Sequence, residues 1–150
     1  MSTIELLPVN EDNYRRVLAL ELAPGQEFFI ASNTMSLAQA FVFPWLKPLA
    51  IAANSQIVGF MMHGLKPSTG MHWLSRLMIA KEFQGKGHGR AALHLFIHEL
   101  VAKTPSPTLC LSLVPRNEAA LKLYKDIGFK ETGEVDEDGE IIMHLILRNP

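Results

Sequence analysis

The sequence predicts a mixed α/β fold built on one central mixed sheet. Apolar segments of strand length alternate with longer segments in which apolar residues recur every three to four positions, as on one face of a helix. A strand at 72–79, a helix at 88–102 and a strand at 109–114 follow one another closely, which predicts a right-handed crossover between parallel strands. The strand at 109–114 is apolar at almost every position, so we expect it near the centre of the sheet.

The predicted order of elements is β-α-α-β-β-β-α-β-α-β-β. The predicted strands cover residues 4–9, 49–53, 57–64, 72–79, 109–114, 130–135 and 140–147. Asn10 and Ser36 are expected to cap the first two helices, because short polar side chains satisfy the free N–H groups of a first helical turn. Pro44 ends the second helix. The dipeptides Asn54-Ser55 and Asp138-Gly139 predict hairpin turns.

Length and composition limit the classes of protein to consider. The chain has 150 residues, which we interpret as one domain spanning 1–150. Its apolar fraction of 48% is that of an ordinary globular protein, and its net charge of −1 argues against nucleic-acid binding. The only cysteine, Cys110, cannot form an internal disulfide, is expected to be buried, and favours a cytoplasmic location. No signal-peptide pattern and no apolar run of ~18 residues is present, so we expect no membrane partner.

A glycine-rich loop is the most informative part of the chain. Residues 83–90 read Phe-Gln-Gly-Lys-Gly-His-Gly-Arg and lead directly into a predicted helix. The bare backbone and the helix start can point several N–H groups at one anion, and Lys86, His88 and Arg90 can add positive charge. The loop is therefore predicted to hold a phosphate or pyrophosphate, the alternative being a turn that only joins a strand to a helix.

Two common phosphate motifs do not fit this loop. No Gly-Lys-Ser or Gly-Lys-Thr ends it, as a P-loop requires. A dinucleotide-binding fingerprint would need an acidic residue about 20 positions further on, where the sequence instead reads Leu109-Cys110-Leu111-Ser112-Leu113.

The loop resembles the acetyl-CoA loop of the GNAT N-acetyltransferase superfamily. Gln84, Gly87 and Gly89 match the pattern [Gln/Arg]-x-x-Gly-x-[Gly/Ala] in register. The resemblance covers roughly residues 48–147 and implies a central sheet that is splayed between its fourth and fifth strands.

A second segment is similar to the same superfamily. Asn117 opens a helix, Tyr124 follows seven residues later, and Gly128-Phe129 closes the helix. Residues 26–33 and 58–60 look most like the bacterial spermine/spermidine (diamine) acetyltransferase branch.

The resemblance implies that acetyl-CoA is the cosubstrate, without a metal. The strand before the loop would pair with the pantetheine arm, and an N–H near Met78 or Ile79 would face the thioester oxygen. The cofactor-binding residues implied in this way are Leu77, Met78, Ile79, Gln84, Gly85, Lys86, Gly87, His88, Gly89, Arg90, Asn117 and Tyr124.

Tyr124 is the candidate catalytic residue. A phenol keeps its proton at neutral pH and can give it to the departing thiolate of CoA. The alternative is an ordinary core tyrosine on an apolar helix face.

The acceptor is expected to be the primary amine of a small molecule, with a polyamine or diamine as first choice, which attacks directly in a ternary complex. Residues 131–140 carry six acidic residues and no basic one, which suits a cationic acceptor. No motif fixes the base that deprotonates the amine. The candidates for this base are Glu21, Glu27, His63 and His72.

Ser75 stands where the diamine branch often has an acidic residue, directly before Arg76. These two residues are candidate substrate-binding residues, together with Glu21 and Glu27. The alternatives are an enzyme that acetylates a peptide, a protein or an aminoglycoside, and a non-catalytic module that only binds acetyl-CoA. A homodimer is possible in each case.

Overall fold

The computed structural model describes residues 3–148, which form one seven-stranded sheet with four helices. The strands are β1 (Ile4–Pro8), β2 (Lys47–Ala53), β3 (Gln56–Lys66), β4 (Met71–Ile79), β5 (Thr108–Leu113), β6 (Lys130–Val135) and β7 (Ile141–Ile146). The helices are α1 (Tyr14–Leu18), α2 (Asn33–Val42), α3 (His88–Val101) and α4 (Glu118–Ile127), and short 3₁₀ turns lie at Gln26–Phe28 and Lys81–Phe83. The predicted order of strands and helices is confirmed.

The sheet is mixed, with the strand order β1-β2-β3-β4-β5-β7-β6. β4 and β5 are parallel, as the crossover through α3 predicted, and every other neighbouring pair is antiparallel. The order also contains a feature that the sequence did not reveal, because β7 lies between β5 and β6. The β6–β7 connection, residues 136–140, therefore lies at the end of the central strand β5.

The core lies on both faces of the sheet. Side chains of a strand point alternately to its two faces, and in β2 Ile51 belongs to one apolar cluster while Ala50 and Ala52 belong to the other. The first cluster includes Leu93 and Phe96 of α3, and the second includes residues of α1 and α2. Cys110 is buried, as predicted.

Of the two predicted N-caps, Ser36 was misplaced, whereas Asn10 caps the turn that leads into α1. α2 is capped by Ser32, whose Oγ accepts a hydrogen bond from the Met35 N–H, whereas Ser36 is buried inside the helix and donates from its Oγ to the Ser32 carbonyl. Asn13 occupies the N-cap position of α1 without a side-chain hydrogen bond to the helix. Asn10 lies one turn earlier, and its Oδ1 accepts from the backbone N–H groups of Asp12 and Asn13 at 2.9 and 3.1 Å. Either serine satisfies the local rule for a cap, and the packing of α2 on the sheet decides between them. Within residues 3–148, no helix is long and apolar enough to cross a membrane.

Candidate active site

A cleft opens where β4 and β5 separate. The two strands are paired at His72 with Leu109 and at Trp73 with Cys110, and no further pair joins them in the described part of the chain. Beyond Trp73, the edge of β4 that faces β5 keeps backbone polar groups that no neighbouring strand satisfies. A cavity of about 740 Å³ lies between residues 74–79 of β4 and residues 111–113 of β5. The predicted splay between the fourth and fifth strands is confirmed.

The glycine loop forms one wall of this cleft. Gly85 and Gly87 have φ angles of 77° and 84°, a region that favours glycine, and Gly87 is the N-cap of α3. No atom lies within 4 Å of the position that a Cβ would take on either residue. The loop therefore offers open space, a bare backbone and the first N–H groups of a 14-residue helix, which together suit a phosphate group.

The side chain of Gln84 fastens the loop to the rest of the site. Its Nε2 donates to the carbonyl oxygen of Ile79 and to Oε1 of Gln26, both at 2.8 Å. Gln26 Nε2 donates in return to Gln84 Oε1 at 3.2 Å. Gln84 thus ties the loop to the end of β4 and to the 3₁₀ turn at Gln26–Phe28, and the loop reaches the cleft in a fixed position.

Of the twelve residues expected to bind the cofactor, the structure brings all except Lys86 to the wall of the cleft. Lys86 is exposed, with its Nζ 5.8 Å from the centre of the Phe83 ring. His88 is buried, whereas Arg90 is exposed and forms a salt bridge of 3.1 Å with Asp126. The positive charge that the loop places at the cleft itself is therefore that of Arg90 and of the helix start.

Tyr124 and Asn117 reach the cleft from α4. Tyr124 is 9% exposed, and its ring packs edge-on against Phe129 with 5.6 Å between ring centres. Burial raises the pKa of its phenol to about 12, so the hydroxyl is neutral at physiological pH. Asn117 caps α4, since its Oδ1 accepts from the Ala120 N–H at 3.3 Å, and it also lines the cleft.

The residues expected to handle the acceptor divide into two groups. Ser75 and Arg76 line the cleft, and Arg76 donates from Nη2 to Gln39 Oε1 at 2.7 Å and from Nη1 to the Ser75 carbonyl at 2.8 Å. Glu21 and Glu27 do not line it. Glu21 is held by Lys81 at 2.7 Å, and this hydrogen bond lowers the pKa of its carboxyl group.

The two histidines considered as bases also lie outside the cleft. Nδ1 of His63 and Nε2 of His72 are 2.8 Å apart, so that one ring donates to the other. The His63 ring packs on Phe96 of α3, with ring centres 4.7 Å apart. This histidine pair faces the core beneath α3, because β3 and β4 point those positions toward the helix and away from the splay.

Three acidic residues of the β6–β7 connection line the cleft, although none of them was predicted as a site residue from the sequence. Asp136, Asp138 and Glu140 have carboxylate oxygens within 4.8 Å of one another. Glu140 accepts from Ser112 Oγ of β5 at 3.3 Å, and partial burial, followed by the charge of Asp136, raises the pKa of Glu140. The acidic run at 131–140 was visible, but its proximity to the cleft depends on the insertion of β7 beside β5, which no local pattern predicts.

Comparison with known proteins agrees with this geometry. Residues 45–131, more than half of the chain, match the acetyltransferase (GNAT) domain family. A spermine/spermidine N(1)-acetyltransferase of Bacillus subtilis (strain 168) is 32% identical over 147 residues, which are 94% of this chain and 97% of that protein. The peptidyl-lysine N-acetyltransferase YjaB of Escherichia coli (strain K12) is 36% identical over 97 residues, which are 62% of this chain and 58% of that protein.

A solved structure has the same fold. The spermidine N-acetyltransferase from Vibrio cholerae, crystallised with CoA and spermine, superposes with a TM-score of 0.76 at 15% identity, covering 96% of this chain and 95% of that one. The family match and the sequence relatives show that the chain belongs to the GNAT family. It is an acetyltransferase.

Proposed function

We propose that the protein transfers the acetyl group of acetyl-CoA to a primary amine of a polyamine or diamine, by direct attack in a ternary complex. The observation that carries this proposal is that the carboxylates of Asp136, Asp138 and Glu140 line the same cleft as Tyr124. These carboxylates outnumber the one guanidinium at this end of the cleft, that of Arg76, so the field favours a ligand with several positive charges. The acceptors named for the relatives from Bacillus subtilis and Vibrio cholerae support the same class.

The cofactor end of the cleft fits acetyl-CoA, which supplies an activated thioester when it is bound. The backbone of residues 84–90 and the first turn of α3 hold the pyrophosphate, in the open space before Gly85 and Gly87. The unpaired edge of β4 pairs with the pantetheine arm as an added strand would. A backbone N–H near Met78 or Ile79 stabilises the oxygen of the tetrahedral intermediate.

Glu140 is the residue that we propose as the base. A polyamine nitrogen has a pKa near 10.4, so it arrives as an ammonium ion and must lose a proton before it can attack. Glu140 lines the cleft and has a raised pKa, both of which suit a carboxylate that accepts this proton directly or through a water molecule. The diamine acetyltransferase branch often has an acidic residue where this chain has Ser75, and we propose that Glu140 supplies that carboxylate instead.

The proposed reaction then balances as follows. The nitrogen lone pair forms a bond to the acetyl carbon, and the carbon–sulfur bond breaks with its electron pair on sulfur. Tyr124 donates its phenolic proton to that sulfur. The nitrogen, now bonded to the acetyl carbon, loses its second proton, which restores the Tyr124 phenol by way of solvent, and the proton that Glu140 took up is released to solvent. Cys110 takes no part, since it is buried outside the cleft and burial raises the pKa of its thiol, which makes it a poor nucleophile.

An amine panel tests the acceptor. Release of free thiol from acetyl-CoA is followed with spermidine, spermine and a monoamine of similar length. We expect a higher kcat/KM for the polyamines at low salt, and we expect added salt to narrow the difference because it screens the acidic residues. Higher kcat/KM for monoamines, peptides or aminoglycosides at low salt would exclude the polyamine acceptor. Acetyl-CoA binding without turnover of any amine would identify a binding module.

A pair of variants tests the base. Glu140→Gln keeps the size of the side chain and removes the charge, and we expect it to lower kcat/KM for spermidine by at least about 100-fold, the usual scale of general base catalysis. Glu27→Gln removes a carboxylate that is exposed outside the cleft and should change this value by less than about twofold. Equal effects of the two substitutions would remove Glu140 from the mechanism.

We also propose a cytoplasmic location. The free thiol of Cys110 suits a reducing compartment.

A further inference from the structure

The outer face of α2 is apolar and uncovered. Phe41 is 88% exposed, Val42 63%, Met35 53% and Phe43, directly after the helix, 48%. Met35, Ala38 and Val42 are spaced three and four residues apart, so they form one stripe along the helix, and Phe41 lies at its edge. These five residues are called the α2 face below. Single exposed apolar residues are common, but a continuous stripe of this kind marks an interaction surface.

The α2 face lies in a segment without charge. No Asp, Glu, Lys, Arg or His occurs from Phe28 to Leu46. Helices that lie on membranes carry lysine and arginine around their apolar face, and nucleic-acid surfaces are basic, so neither partner fits this segment. A symmetric contact, by contrast, sets the same residues of two copies against each other, and an uncharged face meets its own copy without repulsion between like charges.

The size of the face is also consistent with self-association. The exposed parts of its large side chains amount to about 500 Å² per copy, or about 1,000 Å² for a pair, which is the lower limit for a specific protein interface. We propose that the α2 face is the contact surface of a homodimer, and that its occupant is the α2 face of a second copy of this chain. An interface of this size forms a reversible monomer–dimer equilibrium.

This contact bears on the cleft through one hydrogen bond. Gln39, on the inner side of α2, accepts from Nη2 of Arg76 at 2.7 Å, while Nε of Arg76 is buried without a partner in the described structure. The position of α2 therefore sets the position of the guanidinium at the acceptor end of the cleft.

Sedimentation velocity over a series of protein concentrations tests the interface. The wild type should pass from monomer to dimer, and Phe41→Glu should raise the dimer Kd by about 100-fold or more, because the most exposed apolar side chain of the face is then replaced by a charge on both copies. Phe41→Ser should raise it by a smaller factor. Both variants should keep the melting temperature of the monomeric wild type, since Phe41 is almost fully exposed.

Ile146→Glu is the matched control. Ile146 is 61% exposed on β7, outside the α2 face, and the substituted protein should dimerise like the wild type. A wild type that stays monomeric at all concentrations, a dimer that persists in Phe41→Glu, or a dimer that is lost in Ile146→Glu would each overturn the proposal. None of these outcomes changes the kcat/KM values that the amine panel measures for the monomer. The proposed interface and the proposed acceptor can therefore be rejected or supported independently.

Discussion

Tyr124 is a buried phenol at the wall of an open cleft. Its hydroxyl makes no hydrogen bond to another residue of the described structure, and burial raises its pKa to about 12. A neutral hydroxyl of this kind gains a partner when negative charge develops on a sulfur beside it, because a charge-assisted hydrogen bond is stronger than a neutral one. The same features that would make Tyr124 an ordinary core residue therefore also make it suitable as an acid.

Tyr124→Phe removes one hydroxyl and keeps the ring that packs on Phe129. We expect kcat to fall by roughly 10²–10⁴-fold, the usual contribution of general acid catalysis, with acetyl-CoA affinity and melting temperature nearly unchanged. Steady-state kinetics and thermal unfolding provide the measurements. Tyr14→Phe, at the exposed and only other tyrosine, is the control. A Tyr124→Phe enzyme with most of its kcat would assign Tyr124 to the core alone.

Cleft residues that lie within a sequence motif could be predicted from the sequence. Cleft residues that reach their place through the pairing of strands far apart in the sequence could not. Gly87 and Tyr124 line the cleft, as their motifs predicted. Glu27 was a candidate because of its charge, yet it points to solvent, while Glu140 was left out and lines the cleft. Both differences between prediction and structure have one cause, because the sequence gives the charge of a side chain but not the strand beside which that side chain lies.

At the level of secondary structure, the histidine pair holds the closed end of the splay. His72 is paired with Leu109 of β5, and its backbone N–H donates to Ser106 Oγ at 3.1 Å. Its ring Nδ1 lies 3.0 Å from Thr104 Oγ1. The bond to His63 adds β3 to the same network. These contacts join β3, β4, β5 and the end of α3 at the point from which β4 and β5 diverge.

The histidine pair makes the stability of the fold sensitive to acid. Burial, with smaller effects from the charges of His72 and Lys47, lowers the pKa of His63 to about 4, and burial lowers the pKa of His72. In the unfolded chain, histidine titrates near pH 6.5, so below that pH the unfolded state binds more protons than the folded state. The stabilisation is therefore complete above about pH 6.5 and is lost as the pH falls toward 4.

His63→Gln tests this dependence. Over the range from pH 7 to pH 4.5, the free energy of unfolding of the wild type should fall by up to about 3 kcal/mol more than that of the variant. Urea unfolding at several pH values measures this difference, and His94→Gln, which removes an exposed histidine of α3, is the control. Parallel pH profiles for wild type and His63→Gln would contradict the linkage.

The elements themselves were largely predictable, since their apolar periodicity is strong. The errors lie at the ends of the elements, and the order of the strands within the sheet was not predicted. Ser36 was predicted as the cap of α2, but the capping rule fits Ser32 equally well, and the burial of one face of α2 decides the start of the helix. The place of β7 between β5 and β6 is set by the pairing of Met143 with Leu111, a contact between distant positions that leaves no local pattern.

For the molecule as a whole, the cleft has two chemically different ends. The glycine loop and the start of α3 favour anions at one end, and Asp136, Asp138 and Glu140 favour cations at the other. The net charge of −1 hides this separation, because it sums the 14 basic and 15 acidic residues of the whole chain. The splay of β4 from β5 joins the two ends, so that a thioester and an amine can meet beside Tyr124.

Binding of acetyl-CoA by the glycine loop is the claim on which the rest depends, and the shift in melting temperature tests it most directly. At a ligand concentration of 100 Kd, binding at a single site increases the free energy of unfolding by about 2.7 kcal/mol. This increase raises the melting temperature of a domain of this size by about 5–10 °C. Gly87→Glu should abolish this rise, because its carboxylate occupies the space intended for phosphate and repels it.

Gly70→Glu is the matched control for that measurement. Gly70 has a φ of 70° and open space before it, like Gly87, but it lies outside the cleft, so the variant carries the same backbone strain and the same added charge. With each protein referred to its own melting temperature without ligand, we expect the full rise for the wild type and Gly70→Glu, and none for Gly87→Glu. An equal rise in all three proteins would show that acetyl-CoA does not bind at the glycine loop.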